Sequence, residues 1–153
     1  MKTAEEVLKE KGADMISVPV DSTVFDALKV MNEKKIGAIL IKDGDKVAGI
    51  WTERDLLRNS MEEGFDPKTA KIADYMTTDL KFSEHNHSME QLQDKFLGIR
   101  LRHLLIRKDE MLIGLLSVGD VMKTILNEKE KDLRTLNEMT SWEYYENWRW
   151  KKE

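Results

Sequence analysis

The sequence lacks several features that would assign it to particular protein classes. None of its 153 residues is cysteine, which excludes disulfide frameworks, thiolate zinc sites and cysteine nucleophiles. No apolar run approaches the roughly 20 residues that a membrane-spanning helix needs. With 25 basic and 29 acidic residues, the net charge of −4 gives no general electrostatic reason to bind nucleic acid or an anionic membrane. The opening segment has no signal-peptide core, so we expect a cytoplasmic protein.

Catalytic motifs are missing as well. The sequence contains no Gly-x-Ser-x-Gly nucleophile motif and no glycine-rich loop that leads into a lysine. His85-Asn86-His87 places two imidazoles two residues apart, which is a weak metal signal without a third ligand. We interpret both histidines as solvated loop residues. The chain is therefore predicted not to be an enzyme and to carry no metal and no catalytic cofactor.

What the sequence does contain is an internal repeat. One ungapped offset of 65 positions pairs Gly49 with Gly114, and the same offset pairs Asp55 with Asp120. Each copy reads as a β-α-β-β-α unit, and two such units must stack to complete one core. The predicted fold class is α+β, with two tandem subdomains and a C-terminal helical tail.

Helix and strand signals place the elements within each copy. Capping signals at Thr3, Thr23 and Ser88 predict helix starts, and the first helix covers residues 4–11. A third helix is expected from Thr52 to about Glu63. The predicted hairpins join residues 38–41 to 47–51 and residues 104–106 to 112–115. The predicted division of the chain is a helix at 1–12, subdomains at 13–65 and 80–127, a connector at 66–79 and a tail at 128–153.

The same polar pattern ends the hairpin in both copies. Thr52 precedes Asp55 by three residues, and Ser117 precedes Asp120 by three. One interpretation is helix capping, because a hydroxyl at the N-cap and a carboxylate at N3 suit a helix start. The other is a nucleotide site, in which the helix N-terminus and hydroxyl bind phosphate and the carboxylate binds a ribose diol. The pattern alone favours capping, and its duplication increases the weight of the second interpretation.

These segments resemble a known family. The stretches 34–41 and 49–55, and their counterparts 99–106 and 114–120, are similar to the tandem CBS-domain pair, or Bateman module, especially the bacterial proteins built from one pair. The resemblance covers roughly residues 13–127. It implies two subdomains related by a pseudo-twofold axis, with two clefts that bind adenosyl ligands such as AMP, ADP, ATP, NAD or S-adenosylmethionine. It also implies a homodimer.

The resemblance assigns roles to individual positions. Asp55 and Asp120 would bind the ribose, while Thr52 and Ser117 would face the phosphate. Cationic candidates near the phosphate are Arg54, Arg102 and His103, with Arg100 and Lys35 as weaker ones. Strand alternation predicts that Arg100 and Arg102 share one face and that His103 lies on the other. Because Gly119 stands where the first copy has Arg54, and Leu105 replaces a frequent proline, we expect one high-affinity cleft and one weak or empty cleft.

The C-terminal tail concentrates aromatic residues among charges. Trp142, Tyr145 and Trp148 are three residues apart, so one helical face can carry all three, and Tyr144 and Trp150 lie beside them. We favour packing on the chain itself or across a dimer interface, then docking of a protein partner, and last a membrane surface.

Two hypotheses follow. The first is a regulatory sensor of an adenine nucleotide that acts by a ligand-dependent conformational or oligomeric change. The second is a ligand-free scaffold that dimerises and docks a partner through the aromatic tail.

Overall fold

The computed structural model divides the chain into two compact units. It describes the backbone of residues 1–12 and 15–151, and side chains within 1–12 and 15–139. The first-repeat unit contains Gly12–Phe82, and the second-repeat unit contains Met1–Lys11 together with the chain from Ser83 onward. The N-terminal segment therefore packs with the second repeat, although it precedes the first in sequence.

Twelve helices and strands make up the described chain. In order they are α1 (Ala4–Lys11), β1 (Ser17–Pro19), α2 (Val24–Lys34), β2 (Ala38–Asp43), β3 (Lys46–Thr52), α3 (Glu53–Asn59), α4 (Ile72–Tyr75), β4 (Phe82–Glu84), α5 (Met89–Ile99), β5 (His103–Lys108), β6 (Met111–Ser117) and α6 (Val118–Lys151). The two three-stranded sheets have the orders β1-β2-β3 and β4-β5-β6. The α+β fold class with two subdomains and a C-terminal helix is confirmed.

The first-repeat unit is built around a buried tryptophan. Thr23 caps α2 through a reciprocal pair of hydrogen bonds with Asp26, as the capping signal predicted. The apolar stripe of α2 then packs on β2 and β3, where Trp51 is completely buried. The Trp51 indole N–H donates to Asn59 Oδ1 at 2.9 Å, so the largest side chain of this core also has its polar atom satisfied.

The second-repeat unit uses the same plan with the side-chain volume distributed differently, since Met89, Leu92 and Phe96 of α5 stand where α2 has Val24, Ala27 and Met31. Ser88 caps α5, and Leu116 occupies the strand position that Trp51 holds in the first repeat. Helix α1 completes this core. Its buried residues Ala4, Val7 and Leu8 join the cluster formed by α5, β5, β6 and the start of α6. Since α1 contributes three of the eleven buried residues of this cluster, the second repeat depends on the chain that precedes the first.

The two segments that lead into the repeats are exchanged between the units. The Ala4 N–H donates to His87 O at 2.9 Å, and the Ile72 N–H donates to Ser22 O at the same distance. A Cβ added to Gly114 would lie 2.6 Å from a methyl carbon of Leu8, and one added to Gly49 would lie 2.6 Å from the Met76 sulfur. Helix α1 on β6 and the α4 segment on β3 are thus equivalent contacts.

Helix α3 is shorter than the sequence predicted. It ends at Asn59 rather than near Glu63. The Ser60 N–H still donates to the carbonyl four residues back, but Met61 and Glu62 donate to carbonyls only three residues back. The chain therefore tightens into successive turns before Gly64, which has a φ of +77°.

The interpretation of His85 and His87 as solvated loop residues is wrong. His85 Nδ1 lies 3.0 Å from Glu5 Oε2, and His87 Nδ1 lies 2.7 Å from the buried Ser83 hydroxyl. The carbonyls of both histidines also accept N–H groups from the start of α1. The segment between β4 and α5 is therefore the surface on which α1 is anchored.

The tail residues continue α6 as a helix to Lys151. The side chains of Trp142, Tyr144, Tyr145, Trp148 and Trp150 lie outside the described part of the structure, so the predictions on their packing stay predictions. Along the described chain, no helix is both long and apolar enough to span a bilayer.

Candidate functional site

The Thr52–Asp55 pair closes the hairpin of the first repeat. Thr52 is the N-cap of α3, and its hydroxyl accepts the Asp55 N–H at 3.3 Å. Asp55 Oδ2 accepts the Thr52 N–H at 2.9 Å and the Thr52 hydroxyl at 3.0 Å. Asp55 Oδ1 pairs with the Arg58 guanidinium, one turn along the same helix. Asp55 is buried, and both of its oxygens are engaged.

The Ser117–Asp120 pair repeats this geometry at the start of α6. The Ser117 hydroxyl accepts the Asp120 N–H at 3.0 Å, and Asp120 Oδ2 accepts the Ser117 N–H at 2.8 Å. The same Oδ2 accepts a hydrogen bond from Lys11 Nζ at 2.8 Å. Within the described part of the chain, Oδ1 of Asp120 accepts no hydrogen bond. This carboxylate therefore keeps one free acceptor atom, which Asp55 does not.

Ionisation of Asp120 is favoured in spite of partial burial. Burial acts to raise its pKa, but the hydrogen bonds from Lys11 and from the Ser117 backbone outweigh that effect. The pKa of Asp120 therefore lies below its ordinary value, and the group is anionic near neutral pH.

The hairpins place different residues beside the two carboxylates. His103 lies opposite Ser117 in the β5–β6 register, and the Val118 N–H donates to Arg102 O at 2.8 Å. In the first repeat, Ala38 lies opposite Thr52, and the Glu53 N–H donates to Gly37 O at 3.0 Å. The backbone of Arg102 and His103 thus lies beside the Ser117–Asp120 pair, whereas the small neutral residues Gly37 and Ala38 occupy the equivalent positions beside Thr52 and Asp55.

The strand alternation predicted for Arg100 and Arg102 is wrong. Arg100 is the C-cap of α5 with a φ of 54°, and β5 begins only at His103. Lys35 caps α2 in the same left-handed conformation, with a φ of 55°. Both residues therefore end helices, and the left-handed backbone conformation of the C-cap determines where they lie. Arg54 lies exposed in the first turn of α3, on the same helix start as Thr52 and Asp55.

Two cations at these positions were missed by the sequence reasoning. Arg58 follows Asp55 by three residues, a spacing at which helix side chains meet, so the sequence did contain its signal. Lys11 lies 109 positions from Asp120, and no local pattern links the two. Only the packing of α1 on the second-repeat unit brings them together.

The described residues do not form a metal centre. They include no cluster of three or more histidine, aspartate or glutamate side chains that could hold an ion. The chemistry these positions offer is hydrogen bonding: a capped carboxylate, a hydroxyl at a helix start and neighbouring cations.

Comparison with known proteins settles the family. The sequence profile of the CBS domain matches this chain twice, over residues 4–62 and 72–127. The chain belongs to the CBS-domain family. The resemblance seen in the sequence is therefore confirmed, and both matches include the lead-in segment that the fold exchanges between the units.

Individual CBS-domain proteins are similar over most of the chain. The CBS domain-containing protein CBSX3, mitochondrial, of Arabidopsis thaliana is 33% identical over 148 residues, which covers 88% of this chain and 70% of that protein. The crystal structure of a CBS-domain containing protein from Agrobacterium tumefaciens is 31% identical with a TM-score of 0.75, covering 80% of this chain and 98% of that one. CBSX2, solved in complex with AMP, shares the fold at 23% identity and a TM-score of 0.67, over 84% of this chain and 99% of that one. Since CBSX3 is described as mitochondrial, the cytoplasmic location predicted here stays a prediction.

Proposed function

We propose that this CBS pair is a regulatory module that binds an adenosyl ligand at its two Thr/Ser–Asp pairs, with higher affinity at Asp120, which keeps a free acceptor oxygen, than at Asp55, whose oxygens are both engaged. The observation that carries the proposal is the duplicated geometry of Thr52–Asp55 and Ser117–Asp120. In each, a hydroxyl and a carboxylate are fixed against one another at the end of a hairpin and the start of a helix.

The chemistry of a nucleoside phosphate suits these groups. A carboxylate accepts hydrogen bonds from a ribose diol, and a hydroxyl with nearby cations binds phosphate oxygens. Asp120 retains a free acceptor oxygen for this purpose, and its low pKa keeps it anionic. Arg102 and His103 beside Ser117, and Arg54 beside Thr52, are the proposed phosphate partners.

AMP is the first ligand to test, because CBSX2 was solved in complex with AMP. ADP, ATP and NAD contain the same adenosyl group and follow it. Ligand binding would regulate only if it favours one of two conformations or oligomeric states, since a ligand with equal affinity for both shifts nothing.

A thermal-shift and calorimetric titration with AMP, ADP, ATP and NAD tests the proposal. At 100 times its dissociation constant, a ligand adds about 2.7 kcal/mol of stability. The double variant Asp55→Asn, Asp120→Asn should lose this gain. Asp26→Asn is the matched control, because Asp26 occupies the same capping position on α2. If no ligand raises the melting temperature of the wild-type protein, or if D26N abolishes the gain equally, the proposal is wrong.

A ligand-free dimerisation scaffold is the second candidate, and one observation favours it. Exposed apolar side chains recur at equivalent positions of the two repeats: Leu57 in α3 matches Met122 in α6, and Met61, in the turn after α3, matches Leu126 in α6 at the 65-residue offset. Exposed apolar patches that recur in this way are typical of protein interfaces. We propose that α3 with the turn after it, and the equivalent part of α6, contribute to a homodimer.

The solution mass tests the dimer. Leu57→Glu combined with Met122→Glu should convert a dimer into a monomer. Leu97→Glu is the control, because Leu97 is 74% exposed on α5 and its counterpart in the first repeat is the polar Asn32. A dimer that persists in the double variant, or a wild-type monomer, would contradict this interface. A stable dimer that binds no adenosyl ligand would favour the scaffold over the sensor.

A further inference from the structure

Lys11 is presented to Asp120 by a helix that is fixed on the second-repeat unit. Leu8 packs against Gly114, and Glu5 Oε1 accepts a hydrogen bond from Lys108 at 2.8 Å. Lys11 is the last residue of α1, before Gly12 with its φ of +71°. From there its ammonium group lies 2.8 Å from Asp120 Oδ2 and 3.4 Å from Leu115 O. Its location is thus set by the packed part of α1.

Among the described residues of the first repeat, no lysine takes the place of Lys11. There the lead-in helix α4 is one turn long and ends at Tyr75, and the chain continues in extended conformation. The carbonyl of Ile50, which is equivalent to Leu115, accepts the Thr77 backbone N–H at 2.8 Å. A neutral amide therefore stands where the second repeat has an ammonium group. The cation on Asp55 comes instead from Arg58, whose side chain is 69% exposed.

Lys11 and Asp120 together retain one donor and one acceptor for a ligand. An ammonium group has three N–H donors, of which Asp120 and Leu115 use two. Among the described residues, no third acceptor contacts it, and the side chain is 45% exposed. Asp120 Oδ1 likewise accepts no hydrogen bond from the described residues. The pair can thus bind a ribose hydroxyl through the carboxylate and an anionic oxygen through the ammonium group.

We propose that Lys11 makes the Asp120 site select adenosyl ligands according to their number of phosphate groups. The inference rests on the proposed function, because it names the specificity of that same site. Without Lys11, the negative charge of Asp120 repels a phosphate bound nearby. With Lys11 the pair is neutral and offers one charge-assisted hydrogen bond. The benefit is absent for adenosine and grows with the charge of the phosphate chain.

Titrations with adenosine, AMP and ATP test this selectivity. Calorimetry on the full chain in the Asp55→Asn background isolates the Asp120 site. Lys11→Met should weaken ATP binding about tenfold, as expected for the loss of a partly exposed hydrogen bond to a charged group. AMP binding should weaken less than ATP binding, and adenosine binding should change by less than about twofold. Lys11→Arg should retain most of the preference for ATP.

Lys9→Met is the matched control, since Lys9 lies on the same helix and its side chain is 75% exposed in a pair with Glu5. It should leave all three affinities unchanged. If Lys11→Met lowers the melting temperature, Lys11→Gln is measured beside it. Equal loss for the three ligands, or tighter binding of adenosine, would overturn the inference while the proposed function stands. If the wild-type protein binds none of the three, the proposed function itself fails, and the inference fails with it.

Discussion

The two repeats share a backbone and differ in their charges. Both hairpins end in a hydroxyl three residues before a carboxylate, and the reciprocal capping bonds are the same. The cation on the carboxylate is local in the first repeat and comes from a helix 109 positions away in the second. The capping geometry at the start of α3 and of α6 is thus retained in both copies, whereas the charges around it have diverged.

The second difference lies in the lead-in segments. The second-repeat unit is completed by the eight residues of α1, and the first-repeat unit by the single turn of α4. The longer helix is what brings Lys11 to Asp120. Truncation of buried side chains should show whether these segments belong to the units the structure assigns, and removal of charges should show what their cations do.

The largest effects should come from truncating the buried lead-in residues. Leu8→Ala and Ile72→Ala should each destabilise the protein by about 2–5 kcal/mol, because both side chains are buried. Hydrogen exchange should show the loss of protection in β5 and β6 for L8A, and in β2 and β3 for I72A. Each variant is the control for the other. The reverse pattern would contradict the exchange of lead-in segments.

A methyl group added at the contact between β6 and α1 should have the next largest effect on stability. Gly114→Ala should cost about 1–3 kcal/mol, since its Cβ would lie 2.6 Å from a methyl carbon of buried Leu8. Gly98→Ala in α5 is the control, because its Cβ meets nothing within 4 Å and alanine favours a helix. Combining G114A with L8A should cost less than the sum of the two losses measured by chemical denaturation. If the two losses simply add, the methyl group of G114A does not clash with Leu8.

Stability should depend on pH through Glu5. Hydrogen bonds from Lys108 and then His85 lower the pKa of Glu5 from 4.5 to about 2, and Lys9 contributes in the same direction. A carboxyl whose pKa is lowered in the folded state stabilises it above the unfolded pKa, and this contribution is lost as the pH falls. The difference in denaturation midpoint between wild type and Glu5→Gln should therefore be constant above about pH 5 and shrink from about 4.5 to 2. In a Lys108→Met background the difference should be smaller throughout. A difference that stays at its full size down to pH 2 would contradict this account.

The smallest effects on stability should come from the cations on the two carboxylates. Lys11→Met and Arg58→Met should each change the free energy of unfolding by less than about 1 kcal/mol, because both pairs are partly exposed to solvent. Denaturation of both variants measures this directly. A loss of several kcal/mol for K11M alone would mean that Lys11 is a structural residue rather than a ligand-selecting one.

Much of the fold was predictable because its signals are local. The capping boxes at Thr23 and Ser88 and the apolar stripes that follow them lie within 11 consecutive residues each. The 65-residue offset then identified the second copy of each element. The boundary of α3 was missed, because the change from four-residue to three-residue hydrogen bonds after Asn59 leaves no distinct residue pattern.

The long-range contacts could not be predicted in the same way. The lead-in segments are related by 68 positions rather than 65, since Ala4 corresponds to Ile72 and Leu8 to Met76. The offset that revealed the repeat therefore does not align them. The contacts of Glu5 with His85 and of Lys11 with Asp120 form only because α1 packs on the second-repeat unit. The candidate residues Ser117 and Asp120 were found from the sequence, and the lysine beside them was not.

If the proposed function is right, the two repeats carry two separate adenosyl sites of different affinity and selectivity. Calorimetric titration of the single variants Asp55→Asn and Asp120→Asn with AMP and ATP tests it most directly. We predict that each variant loses one binding event and keeps the other, and that the preference for ATP disappears with D120N and persists in D55N. Loss of both binding events in either single variant, or of neither in both, would contradict the claim.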